Sequence, residues 1–144
     1  MTTKTASGRC LCAAITFKTH GVPRFVGHCH CESCRRQTGA IVATFVGFPN
    51  AQVTFAGERQ THTSSPGVSR GFCPKCGTPL SYESTEYPDE IHLYLSTFEE
   101  PQQFQATDHV FWNERVQGYD LHDNLPRRVP GEDKPVAWGP VDDA

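Results

Sequence analysis

This 144-residue chain has no run rich in lysine or arginine. Thirteen basic residues stand against sixteen acidic ones, giving a net charge of −3 and a pI near 6.1. That balance, with no basic aromatic stripe, disfavours a nucleic-acid partner. Long apolar runs are missing too, so no segment is expected to span a membrane. The first ten residues, MTTKTASGRC, lack the apolar centre of a signal peptide. A cytoplasmic setting follows as the expectation. Internal repeats and low-complexity tracts are absent. The 37% hydrophobic content allows only a thin core, and eleven prolines with twelve glycines divide the chain into short segments. Metal cross-links would help such a chain to hold together.

Cysteine is what the chain does have. There are seven, an odd number, and in a reducing compartment thiols stay free for metals. Three of them fall in His28-Cys29-His30-Cys31-Glu32-Ser33-Cys34-Arg35-Arg36, spaced C-x-C-x-x-C. The other four form two pairs, Cys10-Leu11-Cys12 and Cys73-Pro74-Lys75-Cys76. Two short pairs far apart in sequence supply the four thiolates of a closed tetrahedral zinc site. The triplet then has three ligands, and three protein ligands with one open position is the pattern of a reactive zinc. Two zincs per chain are therefore expected, one structural and one reactive. A competing assignment puts Cys29 and Cys31 with Cys73 and Cys76, and leaves Cys34, Cys10 and Cys12 unassigned.

The residues around the triplet have more than one reading. His28 or His30 could close the coordination, since imidazole is a good zinc donor. Neighbours on an extended strand point to opposite faces, however, which favours hydrogen bonding behind the ligands or plain packing for both. Arg35 and Arg36 could clamp a carboxylate substrate or offset thiolate charge. Lys75 reads as a solvated charge.

The pattern along the chain predicts a mainly β domain of many short antiparallel strands. Residues 1–8 read as a loose leader, 13–17 as a strand, and 24–26 as a short strand delivering the triplet. One helical turn at 32–37 would let Cys31 and Cys34 reach a common metal. Strands follow at 41–46, 52–55 and 68–72, with 61–67 as a polar loop. Residues 90–95 alternate as a half-buried strand does, and 110–112 form a short apolar segment. One domain is expected over 1–126, with 127–144 an extended C-terminal tail.

Taken together, these residues resemble the glutathione-dependent formaldehyde-activating family, which includes the centromere protein V group. The resemblance rests on Gly8-Arg9-Cys10-Leu11-Cys12, on His28 to Arg35, and on Phe72-Cys73-Pro74-Lys75-Cys76-Gly77-Thr78. It extends to His109-Val110-Phe111 and Asp123-Asn124-Leu125-Pro126. It implies a β-tent, with a structural zinc on Cys10, Cys12, Cys73 and Cys76 and a second zinc on Cys29, Cys31 and Cys34. It also implies a carbon–sulfur lyase that joins glutathione and formaldehyde reversibly into S-(hydroxymethyl)glutathione. The chemistry of a three-thiolate zinc fits this, because a coordinating thiol is deprotonated and becomes a nucleophile toward an aldehyde. His28, His30 or water would protonate the product oxygen. The expected partners are thus a small thiol such as glutathione and an aldehyde, with oligomeric state left open. The rival expectation is a non-enzymatic zinc-binding or chaperone-like module on the same fold.

Overall fold

The computed structural model describes residues 4–131. Among them, ten strands form two sheets and one helix stands out. The first sheet has the order β1-β2-β5, built from β1 (Thr5–Arg9), β2 (Thr16–His20) and β5 (Val53–Ala56). The second, seven-stranded sheet uses β3 (Phe25–Cys29), β4 (Ala43–Pro49), β6 (Gln60–Ser65), β7 (Val68–Phe72), β8 (Pro79–Ser84), β9 (Glu90–Tyr94) and β10 (His109–Val110). Its order is β10-β3-β4-β9-β8-β7-β6. The paired strands are antiparallel, except that β10 runs parallel to β3. The mainly β architecture read from the sequence is the one observed.

The two sheets lean together over an apolar core that includes Ile15, Phe17, Val46, Phe48, Leu80, Leu93, Phe98 and Phe104. Phe17 packs edge-on against Phe98 at 5.0 Å between ring centroids, and Phe98 against Phe104 at 4.8 Å. Such pairs add about 0.5–1.5 kcal/mol each beyond the area they bury. At the seam, Gly8 of β1 bridges to Phe98. A Cβ at residue 8 would run into the Phe17 ring and the Thr97 carbonyl, so only glycine admits this approach.

Several expectations shift. Residues 5–8 are not a leader, because β1 pairs with β2 from Thr5↔His20 to Arg9↔Thr16. The polar stretch 61–67 is mostly β6, whose residues are nearly all exposed. An edge strand of this kind carries no apolar alternation, and its order comes from the ladder to β7 and the turn at Gly67 (φ +80°). Strand β9 is buried along its whole length rather than half-buried. It lies between β4 and β8, and Arg24 offsets the charge of its Glu90 with an ion pair at 2.9 Å. Beyond residue 126 the chain still adheres to the domain: the Arg128 amide donates to the His109 carbonyl, and the Trp112 amide donates to that of Arg128. The expected tail from 132 onward lies outside the described residues. Among the described residues no helix is long and apolar enough to cross a membrane.

Candidate metal centre

All seven cysteines are free thiols and gather into two groups: Cys10, Cys12, Cys73 and Cys76, and Cys29, Cys31 and Cys34. In each group the sulfurs lie within 4.8 Å of one another. The competing assignment that joined Cys29 and Cys31 to the 73–76 pair is not the arrangement observed.

The first group sits where two knuckles meet. One follows β1, with the Cys10 amide bonded to the Ile15 carbonyl and Ala13 in the left-handed region at φ 65°. The other joins β7 to β8, with the Gly77 amide bonded to the Cys73 carbonyl at 2.8 Å and Gly77 at φ 80°. The knuckles are tied by the Leu11 amide, which donates to Thr78 Oγ1 at 3.0 Å. The Ile15 amide donates to Cys10 Sγ and the Lys75 amide to Cys73 Sγ. Hydrogen bonds from the Thr78 hydroxyl and amide hold the Cys76 thiol down at about 5. Sulfur–sulfur separations are 3.7 Å for Cys10–Cys12 and 3.8 Å for Cys12–Cys73. A tetrahedron with metal–sulfur bonds of about 2.3 Å has edges of about 3.8 Å. The donor set fits a structural zinc in number, kind and spacing.

The second group is placed by the end of β3 and the start of the helix α1 (Glu32–Thr38). Cys31 is the helix N-cap, its Sγ accepting from the Cys34 amide at 3.3 Å. The cap and one helical turn bring Cys31 and Cys34 to the same side. Cys29 arrives from β3 directly. All three sulfurs are buried, at 2%, 0% and 0% exposure, within an apolar cluster containing Phe25, Phe45, Val68, Tyr82, Tyr94, Val110 and Phe111. Hydrogen bonding with Cys31 and Cys34, together with burial, pushes the Cys29 thiol up. Three buried thiols resist ionising side by side, and a divalent cation relieves that conflict. This set too fits zinc, with one position left for a further ligand.

The neighbouring residues do other things. Alternation on β3 turns His28 away, and its Nδ1 meets Thr44 Oγ1 at 2.7 Å. His30 is buried and its Nε2 bonds His109 Nδ1 at 2.8 Å. His109 Nε2 in turn donates to the Asp123 carboxylate at 3.0 Å; with a neutral His109 ring, His30 is then the donor to His109 Nδ1. Against the cost of its desolvation, hydrogen bonds from His109, the Leu125 amide and Arg127 hold the Asp123 carboxyl well below the usual range. This chain fastens residues 123–128 onto β10. His109 and Asp123 were visible in the sequence as polar residues, but only the parallel register His109↔His28 brings them to the histidines. His28, His109 and Asp123 have metal-ligand spacing, yet both His109 nitrogens are already engaged and Arg127 already pairs with Asp123.

The arginines of α1 have partners of their own. Arg35 donates to the carbonyls of His30 and Glu114, and Arg36 pairs with Glu32. The cation at the triplet is Arg70 of β7, which no motif in the sequence singles out. Its Nη1 donates to Cys34 Sγ at 3.4 Å.

Comparison with known proteins agrees with this architecture. Residues 5–114 match the sequence profile of the family described as glutathione-dependent formaldehyde-activating enzyme. An uncharacterized lyase of Schizosaccharomyces pombe is 33% identical over 93 residues, spanning 61% of this chain and 66% of that protein. The chain thus matches just under two thirds of that curated relative's length. A Rhodobacter sphaeroides protein of known crystal structure superposes with a TM-score of 0.52 at 15% identity, over 85% of this chain and 99% of that one. That likeness concerns the fold alone.

Proposed function

The chain belongs to the glutathione-dependent formaldehyde-activating enzyme family, and from that premise we propose that it is a zinc-dependent carbon–sulfur lyase-type enzyme. It would act on a thiol of the glutathione kind and a small aldehyde, forming or cleaving an S-hydroxymethyl adduct. The observation that carries this reading is the convergence of Cys29, Cys31 and Cys34 into a buried group one donor short of a closed tetrahedral site. In this reading Cys10, Cys12, Cys73 and Cys76 hold a structural zinc, and the triplet holds the second.

A zinc in the triplet would lower the pKa of an incoming thiol and so supply a thiolate at neutral pH. Cys29, Cys31 and Cys34 would fix where that sulfur sits, while Phe45, Tyr82, Tyr94 and Phe111 keep bulk water away from it. The thiol gives up its proton to water, and a sulfur lone pair forms the bond to the aldehyde carbon. The carbonyl π pair moves to oxygen, which takes a proton from water. The reverse breaks the carbon–sulfur bond and returns thiol and aldehyde. His28 and His30 are engaged with Thr44 and His109, so in this reading water serves as the proton source.

The burial of all three sulfurs favours a second reading, a non-enzymatic zinc module whose triplet is a second fold-holding site. The enzyme reading requires the triplet to open locally to admit a thiol. Exchange NMR with carbon-13 formaldehyde and glutathione separates the two. Wild-type protein should speed interconversion of free aldehyde and adduct, and Cys34→Ser should lose that effect while remaining folded. No acceleration by fully zinc-loaded wild type would leave the non-enzymatic module in place.

A further inference from the structure

Arg70 is an unusual residue for its place. It lies mid-strand in β7, opposite Tyr82 of β8 and His62 of β6, and is 1% exposed. A guanidinium is always charged, and taking a charge out of water is costly unless it meets compensating groups. Its contacts include a hydrogen bond with Tyr94 and three that run along the guanidinium. Nε donates to Ser64 Oγ at 2.9 Å, Nη1 donates to Cys34 Sγ at 3.4 Å, and the guanidinium carbon stands 5.0 Å from the centroid of the Tyr82 ring. The side chain is thus clamped along its length, with one end delivered to a sulfur of the triplet.

We propose that Arg70 is a positioning residue that sets the charge of the Cys29/Cys31/Cys34 site and makes it select an anionic thiolate over a neutral donor as its further ligand. The inference rests on the function proposed above. Three thiolates and a divalent ion carry a net charge of −1, and a further thiolate takes the site to −2. In buried surroundings that second negative charge is strongly disfavoured. With Arg70 at Cys34 the same two states carry 0 and −1, so a thiolate is tolerated. A neutral ligand such as imidazole adds no charge and has nothing to gain from the guanidinium. Donation to Cys34 Sγ also withdraws charge from that sulfur and leaves the metal a better acceptor for another thiolate. The site would take small organic thiols in their ionised form.

The test uses full-length protein loaded with cobalt in both sites, titrated separately with glutathione and with imidazole and read by the sulfur-to-cobalt absorption and the d–d bands. Arg70→Gln should weaken glutathione binding at least tenfold and change imidazole binding by less than about twofold, since only the charged ligand feels the change. Arg70→Lys should recover a large part of the loss. Ser64 is exposed, so Ser64→Ala leaves the charge buried but removes the Ser64 Oγ acceptor from the Arg70 Nε. It should shift glutathione affinity at least about twofold in the same direction, and it serves if Arg70→Gln does not fold. Equal losses for both ligands, or no loss of glutathione binding in a folded Arg70→Gln protein, would overturn the role of Arg70 while leaving the thiol reading intact. In the absence of any wild-type response to glutathione, both would fall together.

Discussion

Replacing Cys76 by serine separates a metal-held fold from a merely packed one. Cys76 is partly exposed and sits at the tip of the β7–β8 knuckle, so the change from sulfur to oxygen opens no core cavity and removes only the thiolate. Structural zinc in small peptides contributes about 10–16 kcal/mol of apparent binding energy. A quarter of that, for one ligand of four, is about 2.5–4 kcal/mol. Residues 4–131 make up the described domain, and at about 2.1 cal/mol/K per residue its unfolding entropy is about 0.27 kcal/mol/K. The melting temperature should therefore fall by about 9–15 °C. Stripping the metal entirely removes about as much as the whole stability of an ordinary domain, about 5–15 kcal/mol, and should unfold the protein. The assay is thermal melting by circular dichroism, with metal analysis on the same samples. Leu11→Ala, next to Cys12 in the opposing knuckle but 79% exposed, is the control and should melt as wild type does. A Cys76→Ser protein that melts within about 2 °C of wild type with its zinc content unchanged would refute the reasoning.

The doubly substituted Cys29→Ser/Cys31→Ser protein should still carry about one zinc by metal analysis, because the four-cysteine group shares no sulfur with the triplet; a value near zero would mean that the two groups do not act as separate sites. Glu90→Gln should show a pH signature. Although burial opposes ionisation of Glu90, hydrogen bonds from His92 and Arg24 hold its carboxyl below the usual carboxylate range. A depressed folded-state pKa adds stability that is present above the unfolded value of about 4.3 and is lost as pH falls through the folded one. Wild type should therefore be more stable than the variant by about 1–3 kcal/mol near pH 7. That gap should close as the pH falls below 4; a gap constant from pH 7 to 3 in urea titrations would assign the loss to packing rather than to charge.

Much of the site is legible in the sequence, because its information is local. Cys31 and Cys34 are one helical turn apart, and Cys73 and Cys76 flank a knuckle closed by Gly77. Their spacing already determines that each pair can share a metal, whatever the rest of the chain does. The same holds for the turn of helix at 32–37, which the structure extends only to Thr38, and for the β-prone stretches that became β4 and β7. His28 and His30 also obey a local rule: alternation on a strand turns them from the cysteines they adjoin.

What the sequence could not determine depends on partners distant along the chain. Strands β1 and β6 are polar and mostly exposed, and their order comes from ladders to β2 and β7 rather than from any periodicity of their own. Burial of Glu90 within β9 is offset by Arg24, 66 residues away. Arg70 reaches Cys34 across 36 residues of chain, and in the sequence it is one arginine in an ordinary β-prone stretch. The line from His30 through His109 to Asp123 exists only because β10 lies parallel to β3. Spacing sets which thiols can act together, since that needs only a few covalent bonds between them. The charges and hydrogen bonds that decide what those thiols do come from other strands, so only the packed sheets could settle them.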